Sequence, residues 1–321
     1  MTSQSSDFNV CILGGINIDF FSVVKDMPLA GETIVGSDFF VTPGGKGANQ
    51  AVACSRLGLN TTMIGRVGND DFANTLIENF KNENISIEGI FKDSKTYTGV
   101  ANIILDSVGQ NSIIQAPGAN YLCKDEELDY LKNIISNIDL LVLQSEIPMN
   151  VSYEAAKIAK KHNKLVVWDP APANTLPDAA YEYIDYLIPN QIEAQTLSGV
   201  KDVITENQAM EASKVFIDKG VKNVIITMAE LGAYGYNSKE SYFIKTPQDI
   251  TVVDSVAAGD AFSGGLCLGL SQNIEFKEMI YSGIISGCVA VQKSGATDSM
   301  PFKKEFDELK LKSETIWIKQ L

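Results

Sequence analysis

Residues 42–58 read TPGGKGANQAVACSRLG. Three glycines, a lysine and an asparagine crowd the mouth of a segment that otherwise favours helix and stops at Gly58. Glycines in that place let a ligand meet bare backbone N–H groups, where the helix dipole also favours negative charge or hydroxyl lone pairs. No Ser or Thr follows Lys46 and the GxxxxGK spacing is absent, so this is not a Walker A loop. Asn49 adds a carboxamide, donor and acceptor together, one turn into the helix. On either side lie apolar β-type runs, NVCILGG at 9–15 and TTMIGRVG at 61–68.

That alternation continues almost from end to end. DLLVLQSE, KLVVWDP, DYLIPN and NVIITM are further strand candidates. Between the strands, helical spacing puts Phe72, Leu76 and Phe80 on one face, and Val151, Ala155, Ile158 and Ala159 on another. The longest stripe is Phe276, Met279, Ile280, Gly283, Ile284, Gly287, Cys288 and Val291. The pattern predicts an α/β fold with a mostly parallel central sheet and helices on both faces. Residues 18–43 and 98–116 break the rhythm: they carry β-type residues and turn signals but no helix. The second reads as a hairpin turning at DSVGQN. Together they predict a small antiparallel sheet set apart from the core, a lid beside the glycine-rich stretches. The expected division is a tail at 1–7, a core made of 8–17, 44–97 and 117–321, and a lid made of 18–43 and 98–116.

The chain has 321 residues, 45% hydrophobic and 21% charged, which suits a sizeable core and not disorder. Its start, MTSQSSDFNV, has no basic patch or apolar run, and no window approaches the roughly 20 apolar residues of a membrane helix. A soluble protein of the cytoplasm is expected, or also of the nucleus if the source is eukaryotic. A net charge of −14 argues against nucleic acid and anionic membranes as partners. It does not argue against ATP, because bulk charge is screened beyond about 8 Å at physiological salt. Cys11, Cys54, Cys123, Cys267 and Cys288 show no CxxC spacing, and Cys11 in an apolar strand with Cys288 on an apolar helix face favours inert core thiols. His162, the only histidine, sits on a lysine-rich helix end, which leaves a Ser-His-Asp triad almost without a candidate base.

Two further stretches carry chemistry. LGGINID, 13–19, fits a dinucleotide fingerprint poorly, but Asn17 and Asp19 stand just beyond a strand's carboxyl end, where open parallel sheets bind ligands. A carboxylate accepting two hydrogen bonds matches a vicinal diol, although solvated loop residues give the same pattern. In TVVDSVAAGDAFSGGLCLGL, 251–270, the small residues Ala257, Ala258 and Gly259 open a helix and leave its first N–H groups facing outward, an anion hole suited to a phosphoryl group. Asp260 falls in that first turn, where it would be held ionised and could accept a proton from an attacking hydroxyl. An N-cap aspartate with packing glycines at Gly264 and Gly265 is the plainer alternative.

GGKGANQA with DSVAAGD resembles the two hallmark motifs of the ribokinase-like (pfkB) sugar kinases. The likeness runs from about residue 8 to 310, and GGINID, LQSEIP, DPAPA, IPNQIEA and KSGATDSMP keep the same order. The resemblance implies an α/β core with a β-sheet lid, ATP-dependent phosphorylation of D-ribose at its 5-hydroxyl, and homodimers in which the lids clasp. It implies sugar contacts from Asn17, Ile18, Asp19, Glu146 and the run Gly45, Lys46, Gly47, Ala48, Asn49. Asp260 becomes the catalytic base, and Ala257, Ala258, Gly259 and Asp260 the anion hole. Asn190 and Glu193 would position Mg2+ and the ATP phosphates, largely through water. Thr227, Met228, Ala229, Glu230, Leu231 and Gly232 match the nucleotide loop, with Gly259 and Asp260 also meeting ATP. Asp254, Val256, Ala290, Lys293, Gly295 and Ser299 match an activating K+ site built mostly of backbone carbonyls.

Three positions depart from the family pattern. Ala229 stands where glycine is common, so its methyl would crowd the nucleotide or demand a different backbone angle. Ile284 replaces a polar residue that often touches adenine. Lys293 replaces a frequent arginine, which a carbonyl ligand tolerates. The competing readings are a fructokinase, nucleoside kinase or deoxy-keto sugar acid kinase of the same family, a non-catalytic sugar or nucleotide sensor, and a dinucleotide-dependent oxidoreductase. Uncharged polar contacts without an arginine cluster argue against a phosphorylated or carboxylated sugar, and GGKGANQA with LQSEIP favours ribose.

Overall fold

Apolar runs and helical stripes become strands and helices in the order their periods predict. A computed structural model describes residues 8–107, 110–313 and 318–320; the expected tail at 1–7 and the centre of the DSVGQN turn lie outside the described residues. In chain order the elements begin with β1 (Asn9–Leu13), β2 (Asn17–Val23), β3 (Asp38–Gly44), α1 (Lys46–Arg56), β4 (Asn60–Gly68), α2 (Asp71–Asn82) and β5 (Ser86–Asp93). Next come β6 (Gly99–Leu105), β7 (Asn111–Ala116), α3 (Asp125–Ile134), β8 (Leu140–Leu143), α4 (Met149–Lys161), β9 (Leu165–Trp168) and β10 (Tyr186–Leu187). The rest are α5 (Gln191–Ser198), α6 (Glu206–Asp218), β11 (Asn223–Thr227), β12 (Ala233–Asn237), β13 (Ser241–Ile244), α7 (Ala258–Ser271), α8 (Phe276–Ala290), α9 (Lys303–Lys312) and β14 (Ile318–Gln320).

The large sheet runs β14-β13-β12-β11-β10-β9-β8-β1-β4-β5. Neighbours from β11 to β5 are parallel, and β12, β13 and β14 add an antiparallel edge. Side chains of β1 alternate between the faces. Val10 and Ile12 join the core under α1, α2, α7 and α8, while Cys11 and Leu13 join the one under α3, α4 and α6. Strand order reverses between β1 and β8, so their carboxyl ends flank a crevice of the kind in which open parallel sheets hold ligands.

The two stretches without helix form a separate sheet, β3-β2-β6-β7. Its outer pairs are antiparallel as expected, but the central pair, β2 with β6, is parallel. Phe72 departs from its expected face: Leu76 and Phe80 are fully buried, whereas Phe72 is 39% exposed and meets Phe20 of β2 edge-on at 5.5 Å. It fastens α2 to the small sheet instead of filling the core. Among the described residues no helix is long and apolar enough to cross a membrane. All five cysteines are free and buried.

Candidate active site

One cavity of about 1150 Å³ opens where the carboxyl ends of the parallel strands meet the small sheet. Its walls follow from the topology: Asn17 and Asp19 begin β2, Glu146 follows β8, Asp169 follows β9, Asn190 and Glu193 follow β10, and Thr227 ends β11. The mouths of α1 and α7 close it from the other side, with Gly45, Lys46 and Asn49 on one and Ala257 to Asp260 on the other.

The glycines at the mouth of α1 have separate duties. Gly45 is the N-cap at φ 91, and a Cβ there would stand 2.7 Å from the Asn17 amide nitrogen. A Cβ on Gly44 would lie 2.0 Å from Asp19 Oδ2. The bare backbone thus makes room for Asp19, whose Oδ1 is buried and has no hydrogen-bond partner among the described residues. An orphaned buried carboxylate oxygen invites a polar ligand. Burial first, then Glu146 and Asp260, push the Asp19 carboxyl up to about 8.

Asp260 occupies the first turn of α7 and is 3% exposed. Asn49 Nδ2 donates to its Oδ2 at 2.9 Å, and Gln50 Nε2 donates to its Oδ1 at 3.0 Å. Burial raises its pKa, against the opposing pull of the Lys46 ammonium and the two amide donors. Burial that raises a carboxyl makes it a stronger proton acceptor, which is what a general base requires. Burial likewise raises Glu146, Asp169 and Glu193, with Glu193 adding to the rise at Asp169. Desolvation works against the Lys46 ammonium, but Asp260, Asp169, Glu146 and Glu193 outweigh it and hold this lysine charged.

The four residues expected to form an anion hole stand at the mouth of α7. Ala257 caps α7 in a left-handed conformation, φ 61, and the N–H of Ala258 turns back to Ser255 O at 3.3 Å. The N–H groups of Gly259 and Asp260 have no acceptor among the described residues, as the first turn of a helix requires. A methyl built on Gly259 would meet nothing within 4 Å.

Strand alternation separates the sugar candidates. Ile18 points away into the core, and Gly47 and Ala48 are buried in α1 without lining the cavity. Glu146 accepts from the Lys46 N–H at 2.7 Å and from Gln115 Nε2 of the small sheet at 2.8 Å. Asn190 and Glu193 cap α5 reciprocally: Glu193 N–H reaches Asn190 Oδ1 at 2.9 Å, and Asn190 N–H reaches Glu193 Oε2 at 2.8 Å. Of the nucleotide loop, Thr227, Ala229, Glu230 and Gly232 line the cavity; Met228 is buried beneath it and Leu231 faces solvent. Ala229 sits at φ 49, the left-handed region glycine would occupy without strain. Ile284 lines an apolar end with Ile250, Val252 and Cys288.

Of the K+ candidates only Val256 lines the cavity. Asp254 accepts from the Val256 N–H at 2.9 Å and from the Gly295 N–H at 3.0 Å, stitching 254–256 to the segment after α8. Lys293 N–H reaches Ala290 O, its ammonium pairs with Glu305 at 2.7 Å, and Ser299 Oγ reaches Ala296 O at 2.8 Å. Among the described residues no three His, Cys, Asp or Glu side chains converge to hold a metal by themselves. His162 is exposed at the C-terminus of α4 and takes no part in the cavity.

Residues without a role on sequence grounds complete the site. Asp169, Gln50 and Gln144 bond in a row beside Asp260, Asn120 Nδ2 holds Asn17 Oδ1 at 2.7 Å, and Thr297 Oγ1 holds Asn49 Oδ1 at 2.7 Å. Asp169, Gln50, Gln144 and Thr297 had as signal only their membership of DPAPA, GGKGANQA, LQSEIP and KSGATDSMP, and Asn120 had none.

The model of the pfkB family carbohydrate kinase matches residues 7–303. The ribokinase of Haemophilus influenzae is 37% identical over 294 residues, 92% of this chain and 95% of its own length. A deoxyribokinase of Salmonella typhi is 31% identical over 301 residues, 94% of this chain and 98% of its own. The structure of Arabidopsis thaliana ribokinase complexed with ribose and ATP matches with a TM-score of 0.84 at 28% identity, over 94% of this chain and 97% of that one. A match that spans nearly the whole chain, on a fold whose cavity gathers the family's motifs, means that this chain belongs to the pfkB family of carbohydrate kinases.

Proposed function

We propose that the chain transfers the γ-phosphoryl group of ATP to the 5-hydroxyl of D-ribose, giving D-ribose 5-phosphate and ADP. The carrying observation is the buried Asp260 carboxylate beside two unspent amides, in one cavity with Asn17, Asp19, Asn49 and Glu146. Asp260 accepts the hydroxyl proton, the freed lone pair attacks the γ-phosphorus, and the bond to the β,γ-bridging oxygen breaks. Amides at Gly259 and Asp260, with the Lys46 ammonium, meet the charge that develops. Asn17, Asp19, Asn49 and Glu146 hold the sugar hydroxyls, and the apolar end with Ile284 takes the base. Ile103, Ile113 and Gln115 reach the cavity from the small sheet, which supports a lid that keeps water from the phosphate. Phe39, Val41 and Ile114 leave apolar side chains of that sheet exposed, which favours a homodimer joined through the lids.

The residues fit a magnesium ion that enters on the ATP phosphates. Burial raises the carboxyls of Asp169 and Glu193, and Glu193 adds to the rise at Asp169, which favours a nearby cation, yet among the described residues no carboxylate cluster would hold one alone. Asn190 and Glu193 would hold it through water, and when bound it neutralises phosphate charge. The carbonyls of Asp254, Val256, Lys293 and Gly295 accept no hydrogen bond among the described residues, which suits K+ held by main-chain oxygens.

The test is ADP release over a panel of D-ribose, 2-deoxyribose, fructose and nucleosides, with and without K+. Ribose is expected to lead, and ribose at background would overturn the assignment. The relative named a deoxyribokinase makes 2-deoxyribose the rival to beat. In Asp260→Asn, ribose and ATP binding persist while kcat falls by at least about 10²-fold. Near-normal turnover there would remove Asp260 as base, and binding by the unaltered chain without any product would favour a sensor.

A further inference from the structure

Two adjacent residues of α1 grip the carboxylate of Asp260 by different oxygens, Asn49 at Oδ2 and Gln50 at Oδ1. The Gln50 amide also donates to Asp169 Oδ2 at 2.8 Å, so one NH2 group serves two carboxylates. Its own carbonyl oxygen accepts from Gln144 Nε2 at 2.6 Å. Turning the Gln50 amide over would set that oxygen against both carboxylates and leave the Gln144 donor unanswered, so its direction is fixed. Gln50 and Gln144 are fully buried and, unlike Asn49, neither lines the cavity.

We propose that Gln50 is the positioning residue for Asp260: from a side no substrate touches, it fixes the carboxylate plane and favours the ionised form, with Gln144 setting its direction. Asn49, facing the cavity, is free to exchange its bond for one to the sugar, whereas the Gln50 bond persists through the cycle. The inference rests on Asp260 acting as the base. The charged groups that face Asp260 are Lys46 at the mouth of α1, Asp169 after β9, Glu193 on α5, Glu146 after β8 and Asp19 on β2. Of these only Asp169 also loses a bond when Gln50 is replaced by a neutral residue, and an Asp169→Asn background takes that change out of the comparison. A hydrogen bond to the charged form lowers a carboxyl pKa, so its loss moves ionisation to higher pH.

The experiment is the pH profile of kcat and of kcat/KM for Gln50→Leu and Gln144→Met, beside Asp260→Asn. In Gln50→Leu the acid limb is expected to move up by about one pH unit, with kcat down about tenfold and the sugar KM within about twofold, the loss of one charge-assisted bond. Gln144→Met keeps the donor but frees its direction, so a smaller shift of the same sign is expected; it carries the test if Gln50→Leu does not fold. The shift should persist in an Asp169→Asn background, where Asp260 is the carboxylate left to Gln50. An acid limb unmoved in both glutamine variants, with only thermal stability lost, would reduce Gln50 to a packing role. Turnover retained in Asp260→Asn would instead remove the base reading on which the inference stands.

Discussion

Replacing Gly259 by alanine should make the protein more stable and the enzyme far worse. Gly259 is exposed, has ordinary helical backbone in the first turn of α7, and would place a methyl within 4 Å of nothing. Alanine outranks glycine by roughly 1 kcal/mol in a helix interior, and half that is a fair allowance for a first turn. For a chain of this size about 0.5–1 kcal/mol corresponds to a rise in Tm of roughly 1–3 °C. The open space that makes the methyl harmless to the fold is the space in front of the Gly259 and Asp260 amides, where the proposed reaction puts the transferring phosphoryl group. A methyl that holds the phosphate off those amides should cost about as much as losing one preorganised donor, roughly 10²- to 10³-fold in kcat. Differential scanning fluorimetry and a coupled ADP assay on the same preparation read both effects. A stabilised variant with near-normal turnover would refute the docking site; a destabilised one would refute the reading of the free space.

Two further outcomes follow from strain and charge. Ala229→Gly removes left-handed strain of about 1–2 kcal/mol but restores about 0.5–1 kcal/mol of unfolded-chain entropy, for a net gain near 0.5 kcal/mol; a fall in the urea midpoint would contradict it. Asp19 has a carboxyl raised from 3.8 to about 8, so its contribution to stability is fullest below pH 4 and is lost as pH climbs through about 8. Asp19→Asn should therefore lose ribose binding and gain stability relative to the parent as pH rises from 5 to 9, and parallel stability curves over that range would sink the argument.

Much of the fold was legible because its signals are local. The six apolar runs named on sequence grounds all became parallel strands, since a short β-rich apolar run bounded by turn residues marks a buried strand. β5 hides in SIEGIFKD, where Glu88 and Gly89 break up the apolar residues, and β12 hides in AYGYN, where a glycine interrupts the run. Extended conformation in 18–43 and 98–116 could be read, but not the direction of pairing. The partners β2 and β6 are separated by the whole of α1, β4, α2 and β5, so only the packed structure decides that they run parallel.

The site divides in the same way. GGKGANQA and AAGD were readable because a helix mouth needs small residues next to it in sequence, and the sequence places them there. Asp169, Gln144 and Asn120 have no such local requirement; they meet Gln50 and Asn17 across 119, 94 and 103 residues. What gives them significance is the reversal of strand order between β1 and β8, which sets the ends of β8 and β9 beside the mouths of α1 and α7. That convergence brings Asp19, Glu146, Asp169, Glu193 and Asp260 around the ammonium of Lys46, an arrangement that burial makes costly. A core built for stability alone would not gather them. Protonation relieves part of that excess, as at Asp19, and the rest suits ligands that bring hydroxyl donors and cations, as the proposed sugar and cation-bearing nucleotide would.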